Sequence, residues 1–332
     1  MFRAAARAVL DKYPRLRKVR EWQRQVQSHG MLVEPTAVDD SAGRLESELS
    51  KKRERIDYLE SRLGHVEAQW RISKYYWNMF KWRYATAAAE IWGQPQRLPV
   101  PIREMPLELH ADFTMNGRIP VAEAWSNDTT PVNYPLIYSD AEIDCYIERI
   151  KNGKPSLYTD VDAALPKAFR RFPIAGQSIA VIGSITPWYE AMCLHFGGSP
   201  TTIEYRPIIS RTSRLKTLTV TEYAKCPIVF DAAVNISSIE HDGLGRYGDP
   251  IDPDGDLKAM QKMKSMITRG GLMYFAVPIG QDTIWWNSHR VYGRTRLPVL
   301  LKGWETVASF GFNETLFDQC DSPQPIFVLR NV

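Results

Sequence analysis

Two histidines, His241 and His289, stand where the chain's patterning places loops rather than elements. Imidazole titrates near pH 6.5 when unperturbed, which suits a group that takes a proton from a reacting hydroxyl or amine at neutral pH. His241 ends the run Ser237-Ser238-Ile239-Glu240-His241, just past an apolar stretch. It has two readings: a base, or a residue that only caps and orients its loop. His289 lies in Trp285-Trp286-Asn287-Ser288-His289-Arg290-Val291-Tyr292-Gly293. Aromatic walls with convergent polar groups are typical of a ligand site, so Asn287, Arg290 and Tyr292 are candidate substrate contacts.

A second set of residues has the form of a nucleoside holder. Ser178–Ile182 reads as a short apolar strand, followed by Gly183-Ser184, a helix over about 187–196, and a strand Thr201–Tyr205 that finishes on Glu204 and Tyr205. A glycine turn lets the backbone approach a ligand, and a carboxylate at the tip of the next strand accepts hydrogen bonds from ribose hydroxyls. The turn reads Gly183-Ser184-Ile185-Thr186 and lacks the G-x-G-x-x-G pattern, which argues against a dinucleotide and an NAD-type oxidoreductase.

The elements that would position these groups are clearest between Cys226 and Pro278. Residues 226–236 read as a buried strand, 237–256 as a loop at its carboxyl end, Leu257–Met266 as a helix with Asp256 as cap, and Gly270-Gly271 as the break before a second buried strand. That is a βαβ unit. The fold class it implies is α/β, a Rossmann-like open and mostly parallel sheet with helices on both faces, preceded by an α-helical (coiled-coil or hairpin) amino-terminal region.

With those motifs in order, residues 176–332 resemble a class I S-adenosylmethionine-dependent methyltransferase, from a branch long filed as a domain of unknown function. Ile179–Gly183 is similar to that family's first motif, with Ile185 and Pro187 where further glycines are usual. The stretch from Phe230 to His241 is similar to its fourth strand and following loop, and Gly270–Phe275 to its fifth. The resemblance implies S-adenosylmethionine as cofactor, held by Gly183, Ser184, Glu204, Tyr205, Glu222, Asn235 and Ser237, with Glu222 near the adenine. It implies methyl transfer to oxygen or nitrogen of a small molecule or glycan, with His289 and His241 as catalytic candidates. The competing expectation is an inactive methyltransferase-like scaffold that works through its coiled coil.

Three regions are expected: 1–92 helical, 93–165 a proline-rich connecting and lid segment, and 166–332 the methyltransferase-like domain. Arg3 to Arg24 carries eight cations against Asp11 and Glu21, with apolar residues between them. Such a helix contacts an anionic membrane surface or an acidic partner, or is simply solvated. Leu49, Ile56, Leu63 and Trp70 recur every seven residues, which predicts either homodimerisation through 42–70 or an intramolecular hairpin. Asn116-Gly117 reads as a hairpin turn. Asp252, Asp254 and Asp256 alternate as calcium ligands do, but the spacing then fails, so no metal is expected.

A hydrophobic fraction of 44% and an aromatic fraction of 11% describe a globular chain, and a net charge of +4 is too mild to imply nucleic acid. Cys145, Cys193, Cys226 and Cys320 show no paired spacing and read as reduced core residues. With no apolar run of spanning length, the expectation is a cytoplasmic protein, or one associated with a membrane surface.

Overall fold

The computed structural model describes residues 100–128, 136–156 and 158–332. The basic segment 1–24 and the heptads of 42–70 lie outside the described residues, as does the whole of the expected 1–92 region.

In chain order the elements begin with a short helix α1 (His110–Phe113), strand β1 (Val121–Glu123), strand β2 (Leu136–Ser139) and helix α2 (Asp140–Lys151). The Ser139 hydroxyl caps α2 by accepting from Glu142 N, as its position before two acids predicts. Helix α3 (Thr159–Arg171) follows, crossing the boundary expected at 165. Asn116-Gly117 makes no hairpin. Met115, Asn116 and Gly117 all take positive φ and redirect the chain, and Pro120 then passes it into β1, which pairs in parallel with a strand far downstream.

Next come β3 (Ser178–Ile182), α4 (Trp188–His195), β4 (Ser199–Glu204), β5 (Ile208–Arg211), β6 (Lys216–Thr219), α5 (Val220–Lys225) and β7 (Phe230–Ile236). They are followed by α6 (Gly255–Met266), β8 (Ile267–Ala276), β9 (Thr283–Trp286), β10 (His289–Val291), α7 (Leu297–Leu300), β11 (Trp304–Phe310) and β12 (Ile326–Asn331).

Seven strands form one sheet in the order β11-β12-β8-β7-β3-β4-β6. β6, β4, β3, β7 and β8 are mutually parallel, and β12 runs antiparallel to both of its neighbours. Side chains alternate between two cores. Ala180, Ala233, Met273 and Phe275 face Met260 and Met263 of α6. Ile179, Val181, Ala232 and Val234 face Leu165 and Phe169 of α3 and Met192 of α4. Burial on both faces explains the near-continuous apolar run of 230–236. Each fully buried Ile, Phe or Met contributes about 1.5–3 kcal/mol. Two small sheets, β1-β9-β10 and β2-β5, lie outside the main one.

Three of the four cysteines correct the expectation of core residues: Cys145, Cys226 and Cys320 are exposed and only Cys193 is buried. Asp256 is not the cap of α6 either. It lies inside the first turn, fully buried, and takes two bonds from the Arg296 guanidinium at 2.6 and 2.8 Å. Asp252 pairs with Lys258 instead of sharing a ligand set. No helix among the described residues is long and apolar enough to cross a membrane.

Candidate functional site

The strand order reverses at β3: β4 lies on one side of it and β7 on the other. In open α/β sheets the ligand crevice forms outside the carboxyl ends of the strands at such a switch point. The chain places there the turn after β3, the end of β4 and the loop after β7.

Gly183 holds φ +69°, and a Cβ on it would collide with the Ser238 hydroxyl. The glycine is therefore required for the β3 and β7 loops to approach each other. Ser184 is buried, and its carbonyl accepts from the Tyr138 hydroxyl at 2.8 Å. Glu204 ends β4, largely buried. Its Oε1 accepts a long 3.4 Å bond from Arg206 N, and burial raises its pKa despite the backbone N–H groups of Arg206 and Tyr205. Tyr205, one residue on, is 73% exposed.

Asn235 sits fully buried near the end of β7, opposite Ile182, and neither its Oδ1 nor its Nδ2 has a partner. A buried amide with both ends unmade costs a few kcal/mol, so the arrangement suits a polar group that is bound there. Ser237 holds φ +49°; its hydroxyl donates to Glu240 Oε1 at 2.6 Å and accepts from Gln324 Nε2. Glu240 Oε2 is buried without a partner, and burial lifts this carboxyl to about pH 7 despite the Ser237 bond.

Glu222 does not belong to this group. The strand ends at Thr219, and Glu222 closes a capping box on α5: its carboxylate accepts from Thr219 N and Oγ1 while its own N–H donates to Thr219 Oγ1. Those bonds lower its pKa, and the side chain is exposed.

The two histidines do come together, with ring centroids 6.4 Å apart. His241 Nδ1 lies 2.6 Å from the Ser288 carbonyl oxygen, which can only accept, so Nδ1 carries the hydrogen and Nε2 the lone pair. Nε2 faces Glu240 Oε1 at 3.7 Å. Burial, then the Arg246 charge, depresses His241 to about pH 3, so the ring stays neutral. His289 Nδ1 meets Ser288 Oγ at 3.0 Å, and the ring stacks on Trp285, which is 38% exposed. Burial and Arg246 lower its pKa as well. Arg246 donates to Asp128 Oδ2 at 2.7 Å and to Ser288, and covers the face of Tyr247. Tyr158 and Tyr247 stand half-open nearby.

The downstream substrate candidates are corrected. Arg290 is 1% exposed and donates to the carbonyls of Asp242, Asp252 and Pro253. Tyr292 is fully buried and donates to Asp256 Oδ2 at 3.0 Å. Asn287 is fully buried, with Oδ1 accepting from Ser126 N. In β10 the alternation that turns His289 outward turns Arg290 inward, where it joins the buried Asp256 cluster. Arg290 and Tyr292 are therefore committed to buried protein partners, while Asn287 keeps a buried Nδ2 without a partner.

Sequence reasoning passed over Asp242, whose carboxyl burial and Asp249 push up to about pH 8, and Arg246 with Asp128. Glu240 stands beside His241 in the sequence, which was a usable signal. The Arg246–Asp128 pair spans 118 residues and left none.

A family model described as "Caenorhabditis protein of unknown function, DUF268" matches residues 176–324. No curated protein matches the chain. Among solved structures, the chain is similar to 1,6-didemethyltoxoflavin-N1-methyltransferase of Burkholderia thailandensis, at 13% identity and a TM-score of 0.41, covering 57% of this chain and 87% of that one. It is similar to the N-methyltransferase NodS of Bradyrhizobium japonicum at 14% identity and a TM-score of 0.34, covering 58% and 97%. It is also similar to the ribosomal protein L11 methylase of Lactobacillus delbrueckii subsp. bulgaricus at 10% identity and a TM-score of 0.33, covering 52% and 78%.

Proposed function

We propose that the protein is an S-adenosylmethionine-dependent methyltransferase acting on an oxygen or nitrogen of a small molecule or glycan. The observation that carries this reading is the unpartnered buried amide of Asn235 on β7, next to the β3 strand that leads into the positive-φ Gly183 turn, with Glu204 on β4 at the other side of β3. Gly183, Ser184, Glu204, Tyr205, Asn235 and Ser237 are the residues that would hold the cofactor, which supplies an activated methyl group. Methyl transfer is a displacement, so the protein mainly positions the acceptor and removes its proton.

In this reading the acceptor lies against Trp285 and His289. With Nδ1–H donated to Ser288 Oγ, His289 presents Nε2 as the base. His241, held at Nδ1 and depressed to about pH 3, orients the same loop and keeps a neutral ring behind it. A base of such low pKa is a weak one, which assigns proton removal to His289. The Arg246–Asp128 pair fixes Ser288, and through it both rings.

One observation favours the scaffold reading: the Ser238 hydroxyl occupies the space beside Gly183. Titration calorimetry with S-adenosylmethionine and S-adenosylhomocysteine separates the two. Saturable binding that Glu204→Ala weakens supports the enzyme, and no binding at millimolar ligand supports the scaffold.

A further inference from the structure

The turn after β3 reads Gly183-Ser184-Ile185-Thr186-Pro187, with a single glycine, and a network of hydroxyls surrounds it. The Ser184 hydroxyl lies 2.8 Å from the Thr186 carbonyl and 3.0 Å from Glu190 Oε2. Thr202 Oγ1 of β4 donates to Glu190 Oε1 at 2.6 Å. Glu190 itself is fully buried in the first turn of α4.

Donor counting limits the states open to this network. A serine hydroxyl has one hydrogen. If it goes to the Thr186 carbonyl, the shorter contact, the bond between Ser184 and Glu190 must be donated by Glu190. Only a protonated carboxyl can do that. The chain then runs in one direction without a gap: Thr202 to Glu190, Glu190 to Ser184, Ser184 to Thr186. The Tyr138 hydroxyl holds the other side of Ser184 at its carbonyl.

We propose that Glu190 is a neutral carboxylic acid that positions the Gly183–Pro187 turn, doing for a glycine-poor cofactor loop what tight glycine packing does elsewhere. The proposal rests on the cofactor reading above. Ser184 and Thr202 are its partners, and Tyr138, from a strand outside the 176–324 match, is the second hold on the turn.

The other titratable groups facing Glu190 are Glu142 of α2, Tyr138 of β2, and Tyr189 and Cys193 of its own helix, all acids. None of these offsets a negative charge at Glu190. Burial raises it to about pH 7, which agrees with the donor count. Loss of the proton leaves the single Ser184 hydrogen to serve both the Glu190 carboxylate and the Thr186 carbonyl, so one of the two links is lost and the turn loosens.

The test uses the full chain, wild type and Glu190→Gln, at pH 6.0 and 8.5. A glutamine accepts from Thr202 and donates to Ser184, so it copies the protonated acid. Two quantities are read: affinity for S-adenosylhomocysteine, and hydrogen-exchange protection of the 183–186 amides without ligand, corrected for intrinsic rates. Wild type should lose about tenfold in both between the two pH values. Glu190→Gln should keep its pH 6.0 values at both. A Glu190→Gln variant that loses tenfold affinity and loop protection at pH 6.0, or a wild type flat in loop protection, overturns the proposal. If wild type binds no cofactor analogue, the functional reading fails, and the loop protection still tests the positioning role. Ser184→Ala is the second variant; it should lower loop protection at pH 6.0 without changing the melting temperature of the core by more than a few degrees.

Discussion

His241 Nδ1 lies 2.6 Å from the Ser288 carbonyl oxygen across 47 residues of chain. That single bond fixes which nitrogen of His241 is protonated and ties the loop after β7 to the turn between β9 and β10. The Ser288 hydroxyl makes the matching contact to His289. One serine therefore aligns both imidazoles at the carboxyl edge of the sheet.

His289→Gln should reduce kcat by about 10²–10⁴ and leave cofactor affinity unchanged, as removing a general base does. Because burial and Arg246 lower the His289 pKa, its ring is in the neutral form that a base requires at neutral pH. The rate should be flat upward from neutrality and should fall only as pH drops below the ordinary imidazole range. A rate that keeps rising through pH 8 would assign the proton to another group.

Trp285→Ala should raise KM for the acceptor about tenfold with little change in stability, since the ring is already 38% exposed. Equal loss of kcat and folding stability would place Trp285 in the core instead.

Asp256→Ala should destabilise the fold by about 3–5 kcal/mol, because it strands the buried Arg296 and Arg290 cations. Arg290 and Arg296 hold the folded Asp256 pKa down. Its contribution is therefore present above the ordinary aspartate range, near pH 3.9, and lost as pH falls through the lower folded value. Tyr292→Phe should lower stability and leave cofactor affinity alone, as measured by denaturant unfolding beside calorimetry.

Glu240 behaves in the opposite sense. Its folded pKa of about 7 exceeds its ordinary 4.5. The stability it supports is complete below pH 4.5 and is lost as pH rises through 7. Glu240→Gln should therefore stabilise the protein at pH 8, on the order of 1–3 kcal/mol. Chemical denaturation at pH 5 and pH 8 reads this directly; an equal effect at both would contradict it.

Much of the sheet was legible in the chain because fully buried parallel strands read as short apolar runs bounded by glycine. β3, which ends at Gly183, is found that way; β7 lies between Pro227 and Ser237 instead, and β8 begins at Ile267 and runs through the Gly270-Gly271 pair expected to precede it. Glu204 was legible too, as an acid at a strand tip. Glu222 was misread because Thr219-x-x-Glu222 is a helix-starting capping box, and the strand ends two residues earlier than its β-branched run suggests. The 287–292 segment was legible as a mixture of aromatic and polar groups but not in detail: a period-two strand hides every second residue, so His289 faces out while Arg290 faces the Asp256 cluster. The Asp128–Arg246 and Tyr138–Ser184 contacts were not legible, because each joins distant segments and carries no local pattern.

The central claim is that the β3–β7 switch point binds S-adenosylmethionine. Calorimetric titration of the full chain with S-adenosylhomocysteine tests it most directly. The account predicts one saturable site, weakened at least tenfold by Glu204→Ala; no heat of binding at millimolar ligand would contradict it.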